Sequence, residues 1–203
     1  AVDQVLGTVT GLVNNAGMHN RGAVDTLAPA DIAAMIDVNL RAPLFLSAAV
    51  LPYLQAQSGG AIVMVGSLAG RTPMQGAATY AASKAGLRSF SYAFADELRE
   101  QGIHVGVVSP GPIDTGFIMD EIDDVEDIVF SQPISTAEQV ADNVLAIARG
   151  EADEISMPPV SGFLTTLSYL FPRLRRGMRE RLYAMGRKNK DKIRASKTAD
   201  TAA

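Results

Sequence analysis

Three apolar, β-branched runs, each breaking off into asparagine, glycine, serine or proline, constrain this chain more than any other feature. "TVTGLV" (8–13) runs into "NNAG", "AIVMVGS" (61–67) closes on glycine and serine, and "IHVGVV" (103–108) runs into "SPGP". Continuous apolar runs of this length are strands buried on both faces. Such strands need helices over each face, and helical patterns separate them. From Pro29 to about Gln57, Ile32, Met35, Ile36, Leu40, Leu44 and Leu51 recur at helical spacing. Pro29 suits a first turn, whereas Pro43 and Pro52 predict kinks or an early end. A second helix is expected from about Gln75 to Arg99, stopped at Gly102. A third opens on a capping box, Ser135 with Glu138 or Thr136 with Gln139, and closes at Gly150 before a weak strand, "EISMPP". The acidic "MDEIDDVEDIVF" (119–130) reads as a loop or lid. The alternating order specifies an α/β fold with a parallel sheet of right-handed crossovers.

Sheets of that kind bind ligands beyond the carboxyl ends of their strands. "NNAG", "GSLAG" and "SPGPIDT" therefore belong to one edge. Tyr80 and Lys84, in "TYAASKAG", stand four residues apart and share a helix face. Their neighbours Ala81, Ala82, Ala85 and Gly86 let a large ligand approach the backbone. Ser67 precedes Tyr80 by thirteen residues, and the intervening loop can return its hydroxyl to the start of that helix. A unit charge about 5 Å from a phenolate, at an effective dielectric near 20, is worth about 3 kcal/mol. Lys84 is thus expected to bring the Tyr80 pKa from about 10 toward roughly 7 or 8, where an acid/base group works best.

Composition narrows the chemistry. The 203 residues suit one domain and contain no cysteine, so neither a disulfide framework nor a thiolate metal site is available. With His19 and His104 the only histidines, a histidine metal cluster is not expected, and a Ser-His-Asp triad would need one of them as its base. Neither falls on a motif, and both read as structural. No stretch reads as the roughly 20 apolar residues of a membrane-spanning helix, and "AVDQVLG" lacks a signal-peptide profile. The net charge of −4 hides an asymmetry: residues 172–203 hold eleven Lys and Arg against three acidic residues.

Taken singly, each motif has a plainer role. Asn14 and Asn15 are turn formers, Ser67 a strand terminator and Thr115 a helix cap. Asn39, on an apolar helix, would satisfy backbone groups bared by the kink near Pro43.

Five motifs in register change that reading: "NNAG" (14–17), Asn39 in "IDVNL", Ser67 in "MVGSLAG", "YAASK" (80–84) and "PGPIDT" (110–115). Over about residues 1–157 the chain resembles the short-chain dehydrogenases/reductases. The resemblance implies a Rossmann-like, doubly wound parallel sheet and alcohol–carbonyl interconversion with NAD or NADP. It assigns Tyr80 as the acid/base, Lys84 to the tyrosine and the nicotinamide ribose, Ser67 to the substrate oxygen, and Asn39 to a water in a proton relay. Asn14, Ala16, Gly17, Pro110, Gly111, Ile113 and Thr115 would join Tyr80 and Lys84 in binding the cofactor, Thr115 at the carboxamide. It also implies a homodimer or homotetramer formed through the two long helices.

Two departures shape the expectations. The family's glycine-rich phosphate-binding turn and its coenzyme-selecting residue have no counterpart here. The chain begins where the family's fourth strand would, so the sheet is expected to be N-terminally truncated, lacking three strand–helix units, as in a fragment or mis-started reading of a longer enzyme. The first strand then becomes a bare apolar edge. The alternative is a catalytically silent scaffold or binding protein that has lost the pyrophosphate site.

Beyond the catalytic unit (1–160), residues 161–185 read as a basic amphipathic helix interrupted at Pro172, and 186–203 as a disordered basic tail. The helix would lie on an anionic membrane, suiting a lipophilic alcohol or carbonyl substrate, or pack on a partner subunit or over the pocket. The chain is expected in the cytoplasm, with membrane association through this helix as the variant. The basic tail lacks the aromatic interleaving of a nucleic-acid binder, so no nucleic acid is expected. The 111–134 loop leaves the substrate open, its acidity weighing against an anionic one.

Overall fold

The computed structural model describes residues 7–201, with side chains to residue 196. Residues 1–6, at the head of the expected catalytic unit, and 202–203, at the end of the expected tail, lie outside the described residues.

Strands β1 (Gly11–Asn14), β2 (Gly60–Val65), β3 (Ile103–Pro110) and β4 (Glu154–Met157) form one parallel sheet in the order β1-β2-β3-β4. Gly11 pairs with Ala61, Gly60 with Ile103, and Val107 with Glu154. All four carboxyl ends consequently fall on the same edge. Helices α1 (Pro29–Ile36), α2 (Ala42–Ala56), α3 (Ala78–Leu98), α4 (Gly116–Met119), α5 (Ala137–Ala148), α6 (Pro159–Leu170) and α7 (Pro172–Thr201) complete the fold.

Strand alternation divides the core between two faces. Ile62, Met64, Val105 and Val107 pack with Leu54 of α2 and Leu87, Phe94 and Leu98 of α3. Val63 and Val108 turn the other way, onto Val140 and Ile147 of α5. The sheet is covered on both sides, which is the doubly wound, Rossmann-like arrangement expected. β1 forms one edge of the sheet, with Val13 half exposed.

Local signals explain the element ends. Gly102 adopts φ 67° after α3, a left-handed stop that only glycine makes cheaply. Of the two capping boxes the sequence allows, the structure forms Thr136–Gln139, with both reciprocal bonds present. The helix expected to kink or end at Pro43 and Pro52 runs on through both to Ala56, with a π-turn over Asp37–Arg41 just before Pro43. Contrary to the sequence expectation, Pro29–Ala56 is long and apolar enough to cross a membrane by composition. It buries Asn39, Ser47 and Leu54 and leaves Phe45, Leu46 and Tyr53 exposed.

A carboxylate cluster ties β4 to the loop that follows β2. Glu154 accepts from Arg88 (2.7 and 2.8 Å), Ser109 (2.9 Å), Tyr92 and Arg71. Burial pushes its pKa up, but these bonds, Arg88 foremost, prevail and hold it at about 2.

The C-terminal region departs from expectation. The break at Pro172 is present, with Phe171 non-helical between α6 and α7. Residues 186–201, expected to be disordered, are helical. Their basic side chains find partners in the acidic segment: Arg187 pairs with Asp127 at 3.0 Å, Arg194 with Asp123, and the buried Lys190 donates to the Asp123 and Val125 carbonyls. Ile193 packs against the cluster of Val125 and Phe130. The segment read as a loop or lid is thus a small packed layer held down by α7.

Candidate active site

Two close backbone approaches build the carboxyl edge of the sheet. After β2, Ser67 caps a 3-10 turn at Leu68–Gly70, its Oγ accepting from the Ala69 N–H at 3.1 Å. Gly70 then lies against α3, where a Cβ would stand 2.7 Å from the Lys84 carbonyl. No other residue lets the loop sit so low, and the descent returns the Ser67 hydroxyl to the neighbourhood of the Tyr80 phenol, where it works to lower the phenol pKa. Gly17 makes the second approach. A Cβ there would lie 3.4 Å from Asn39 Oδ1 and 3.5 Å from Lys84 Nζ.

Lys84 is buried, and its Nζ donates to the Val65 carbonyl at the end of β2, 2.8 Å away. An ammonium carries three donors. No second acceptor is formed for it among the described residues. Burial lowers its pKa to about 8.

The expectation for Tyr80 needs correcting. Lys84 Nζ stands 5.9 Å from the Tyr80 ring centroid and reaches back to the strand instead of toward the phenol oxygen. Burial raises the Tyr80 pKa, and the Ser67 hydrogen bond and the Arg21 charge offset only part of that rise. The phenol is held in its neutral form.

Asn39 sits inside the π-turn with no solvent exposure. Its Oδ1 accepts from the Met18 N–H and its Nδ2 donates to the Met18 carbonyl, both at 2.8 Å, and to Ser83 Oγ at 3.2 Å. The amide therefore ties the "NNAG" loop to α3 and does not serve a kink near Pro43. Asn14 is turned into the fold, its Nδ2 against Ser47 Oγ (3.2 Å) and Met64 Sδ (3.1 Å). Ala16 and Gly17 remain exposed on the edge.

Beyond β3, Pro110 pairs with Met157, and the Gly111 N–H donates to the Met157 carbonyl at 2.8 Å. A Cβ at Gly111 would come within 3.3 Å of Leu68, so this loop and the Ser67 loop touch. Ile113 bridges to Ser135. Thr115 precedes α4, but its side chain caps nothing.

One participant was missed. His19, read as structural, stacks on Tyr80 with ring centroids 4.3 Å apart and planes 15° apart. Its Nδ1 lies 3.0 Å from Arg21 Nη1. A guanidinium only donates, so Nδ1 accepts and Nε2 carries the proton. That Nε2 is buried without a partner among the described residues. Burial, then the Arg21 charge, lowers the His19 pKa to about 4. Arg21 also donates to the Phe117 carbonyl and pairs with Glu121 (2.7 and 2.9 Å), joining the "NNAG" loop to α4. The signal available in the sequence was position: His19 lies two residues past "NNAG", on the edge that carries Tyr80. His104 bonds the Ala152 carbonyl, and its register opposite Ala61 puts it at the far edge of the sheet. Among the described residues, no group of three His, Asp or Glu is placed to hold a metal.

Comparison with known proteins identifies the family. The short chain dehydrogenase family matches residues 1–126. The chain is 31% identical to the ketoacyl reductase HetN of a Nostoc species over 166 residues, covering 80% of this chain and 57% of that protein. It is 34% identical to the 3-oxoacyl-[acyl-carrier-protein] reductase FabG of Escherichia coli over 154 residues, 74% of this chain and 63% of the relative. The chain thus spans about three fifths of the length of these relatives. Among solved structures, a gluconate 5-dehydrogenase from Burkholderia cenocepacia in complex with NADP and tartrate superposes with a TM-score of 0.69 at 23% identity. That match covers 76% of this chain and 65% of the other.

Proposed function

Since this chain belongs to the short-chain dehydrogenase/reductase family, we propose that it is the catalytic part of an NAD(P)-dependent oxidoreductase interconverting an alcohol and a ketone or aldehyde. The observation that carries the reading is the convergence of Ser67, Tyr80 and an acceptor-poor Lys84 on one edge.

The donor set suits a nicotinamide cofactor. Lys84 has two N–H groups left for ribose hydroxyls, Gly17 leaves its side-chain space empty, and the Thr115 hydroxyl is uncommitted for the carboxamide. Ala16, Pro110, Gly111 and Ile113 line the same edge, while Asn14 contributes through its backbone. When bound, NAD or NADP supplies or accepts the hydride. Tyr80, neutral at physiological pH, is in the form that donates a proton to a carbonyl oxygen. Ser67 orients that oxygen and stabilises the phenolate left behind. Both Asn39 amide donors are engaged within the fold, so a relay water at Asn39 would have to donate to one of its oxygens.

The relatives are reductases of acyl-chain ketones by name, which supports the reductive direction and a lipophilic substrate. Exposed Phe45, Leu46 and Tyr53 on α2 and Tyr92 on α3 support a homodimer or homotetramer. The test combines NADH and NADPH fluorescence titration with turnover of a carbonyl panel that includes 3-oxoacyl thioesters. Tyr80→Phe is expected to lower turnover about 10²- to 10⁴-fold with cofactor affinity unchanged. Equal turnover by Tyr80→Phe, or cofactor binding with no turnover by the unmodified protein, would overturn the reading, the latter in favour of a silent binding protein.

A further inference from the structure

We propose that the elbow between α6 and the first half of α7 docks the protein onto an anionic lipid bilayer. Helices facing the sheet bury their apolar stripes, as Leu87, Phe94 and Leu98 do on α3. On the elbow the stripe faces outward. Phe163, Leu164, Leu170, Phe171, Leu174 and Met178 are between 42% and 69% exposed, and they follow one another at helical spacing across the Pro172 break. A contiguous exposed apolar surface of this kind marks an interaction site.

Charge identifies the occupant. Residues 172–185 carry five arginines against Glu180 alone. In the second half of α7 three cations are neutralised within the fold, Arg187 and Lys190 by Asp127 and Arg194 by Asp123. In the first half, among the described residues, Arg173, Arg176, Arg179 and Arg181 pair with no carboxylate. Arg173 and Arg176 also line a hollow of about 580 Å³ at the break, together with Leu170, Phe171 and Leu174. An apolar recess edged by guanidinium groups matches an acyl chain beneath an anionic headgroup.

A second copy of the chain fits less well. A two-fold contact sets a surface against itself, and here it would press unpaired arginines together. Length keeps α6 from crossing the bilayer, since its 12 residues span about 18 Å against a hydrocarbon core of about 30 Å, and its charge keeps α7 out, with eleven Lys and Arg in residues 172–203. The elbow lies on the membrane plane.

It also borders the Ser67 loop. Arg71 donates to the Gly162 carbonyl and Thr166 Oγ1 (3.2 and 2.9 Å), Thr72 and Ser168 hydroxyls meet at 2.7 Å, and Arg175 reaches the Pro73 carbonyl. Docking therefore sets that loop beside the lipid, although the docking itself does not depend on the catalytic reading.

The test is cosedimentation with phosphatidylcholine vesicles, with and without phosphatidylglycerol, at low and high salt. The protein is expected to pellet with phosphatidylglycerol vesicles at low salt and less at high salt. Arg173→Gln with Arg176→Gln should lower partitioning roughly 25-fold. Phe163→Ser with Leu170→Ser should lower it at least tenfold at either salt. All four positions are exposed, so unchanged thermal melting will show that the variants fold. Failure to pellet, or partitioning unaltered by the serine pair, overturns the proposal. So does a dimer broken by the serine pair in a protein that ignores vesicles, which would assign the surface to a second copy.

Discussion

Two lysines lie equally deep in this protein, each 4% exposed, and their surroundings differ in one respect. Around Lys190 the fold supplies a full set of acceptors: the Asp123 and Val125 carbonyls at 3.1 and 2.8 Å, Asp127 at 3.4 Å, and the Phe130 ring. Around Lys84 it supplies the Val65 carbonyl and an aromatic ring at 5.9 Å, with no carboxylate in range among the described residues. A buried ammonium without its acceptors loses its hold on the proton, and Lys84 falls to about 8. The contrast separates support from chemistry. A saturated buried charge pins one element to another, whereas an unsaturated one is maintained at a cost in stability, for a ligand that completes it.

Removing each cation in turn should separate the two roles. Lys84→Met is expected to lower carbonyl turnover on the order of 10²- to 10⁴-fold without lowering the melting temperature. The linkage has a definite sign: with the folded pKa near 8 and the ordinary value 10.5, the burial penalty is full below pH 8. It fades as pH rises toward 10.5. The melting temperature of the unmodified protein should therefore climb relative to Lys84→Met across that window, and parallel curves would show Lys84 to be satisfied in the fold. Lys190→Met should do the reverse. It leaves the Asp123 and Val125 carbonyls without their donor and Asp127 with Arg187 alone, so a loss of about 2 kcal/mol in denaturant unfolding is expected, with turnover per folded molecule unchanged. Lost catalysis at unaltered stability in Lys190→Met would break the comparison.

The same contrast explains what was legible in the sequence. The strand and helix segments, the Gly102 stop and a cap at Ser135 or Thr136 are local, carried by residues within a few positions of one another. The placement of Ser67, Tyr80 and Lys84 on one edge follows from topology, because parallel strands put their carboxyl ends together. The second half of α7 was illegible because its partners lie 60 to 71 residues upstream, as with Arg187 on Asp127 and Arg194 on Asp123. A polar run whose neutralising acids are so distant reads as solvated. The Tyr80–Lys84 spacing located the pair but could not say where Nζ would point. The end of β2 offers it a carbonyl, and that settles a direction the helix alone leaves open.

His19 tests the finest part of the contrast, because it too is a buried group left partly unsatisfied. Its ring covers Tyr80 while its Nε2–H meets nothing among the described residues. If it merely shelters the phenol, His19→Phe keeps the stack and removes the unpaired donor, at the loss of the Arg21 bond to Nδ1 while Arg21 keeps Phe117 and Glu121. The two changes offset, so stability holds within about 1 kcal/mol, and turnover stays within about fivefold. His19→Ala, which opens the stack, should cost more turnover than His19→Phe. The discriminating measurement is the pH profile. With its pKa lowered from 6.5 to about 4, His19 stays neutral near pH 6.5, and the unmodified protein and His19→Phe should trace the same curve there. A limb near 6.5 present in the first and absent in the second would mean that His19 titrates during turnover, and that its unpaired nitrogen takes the kind of part proposed for Lys84.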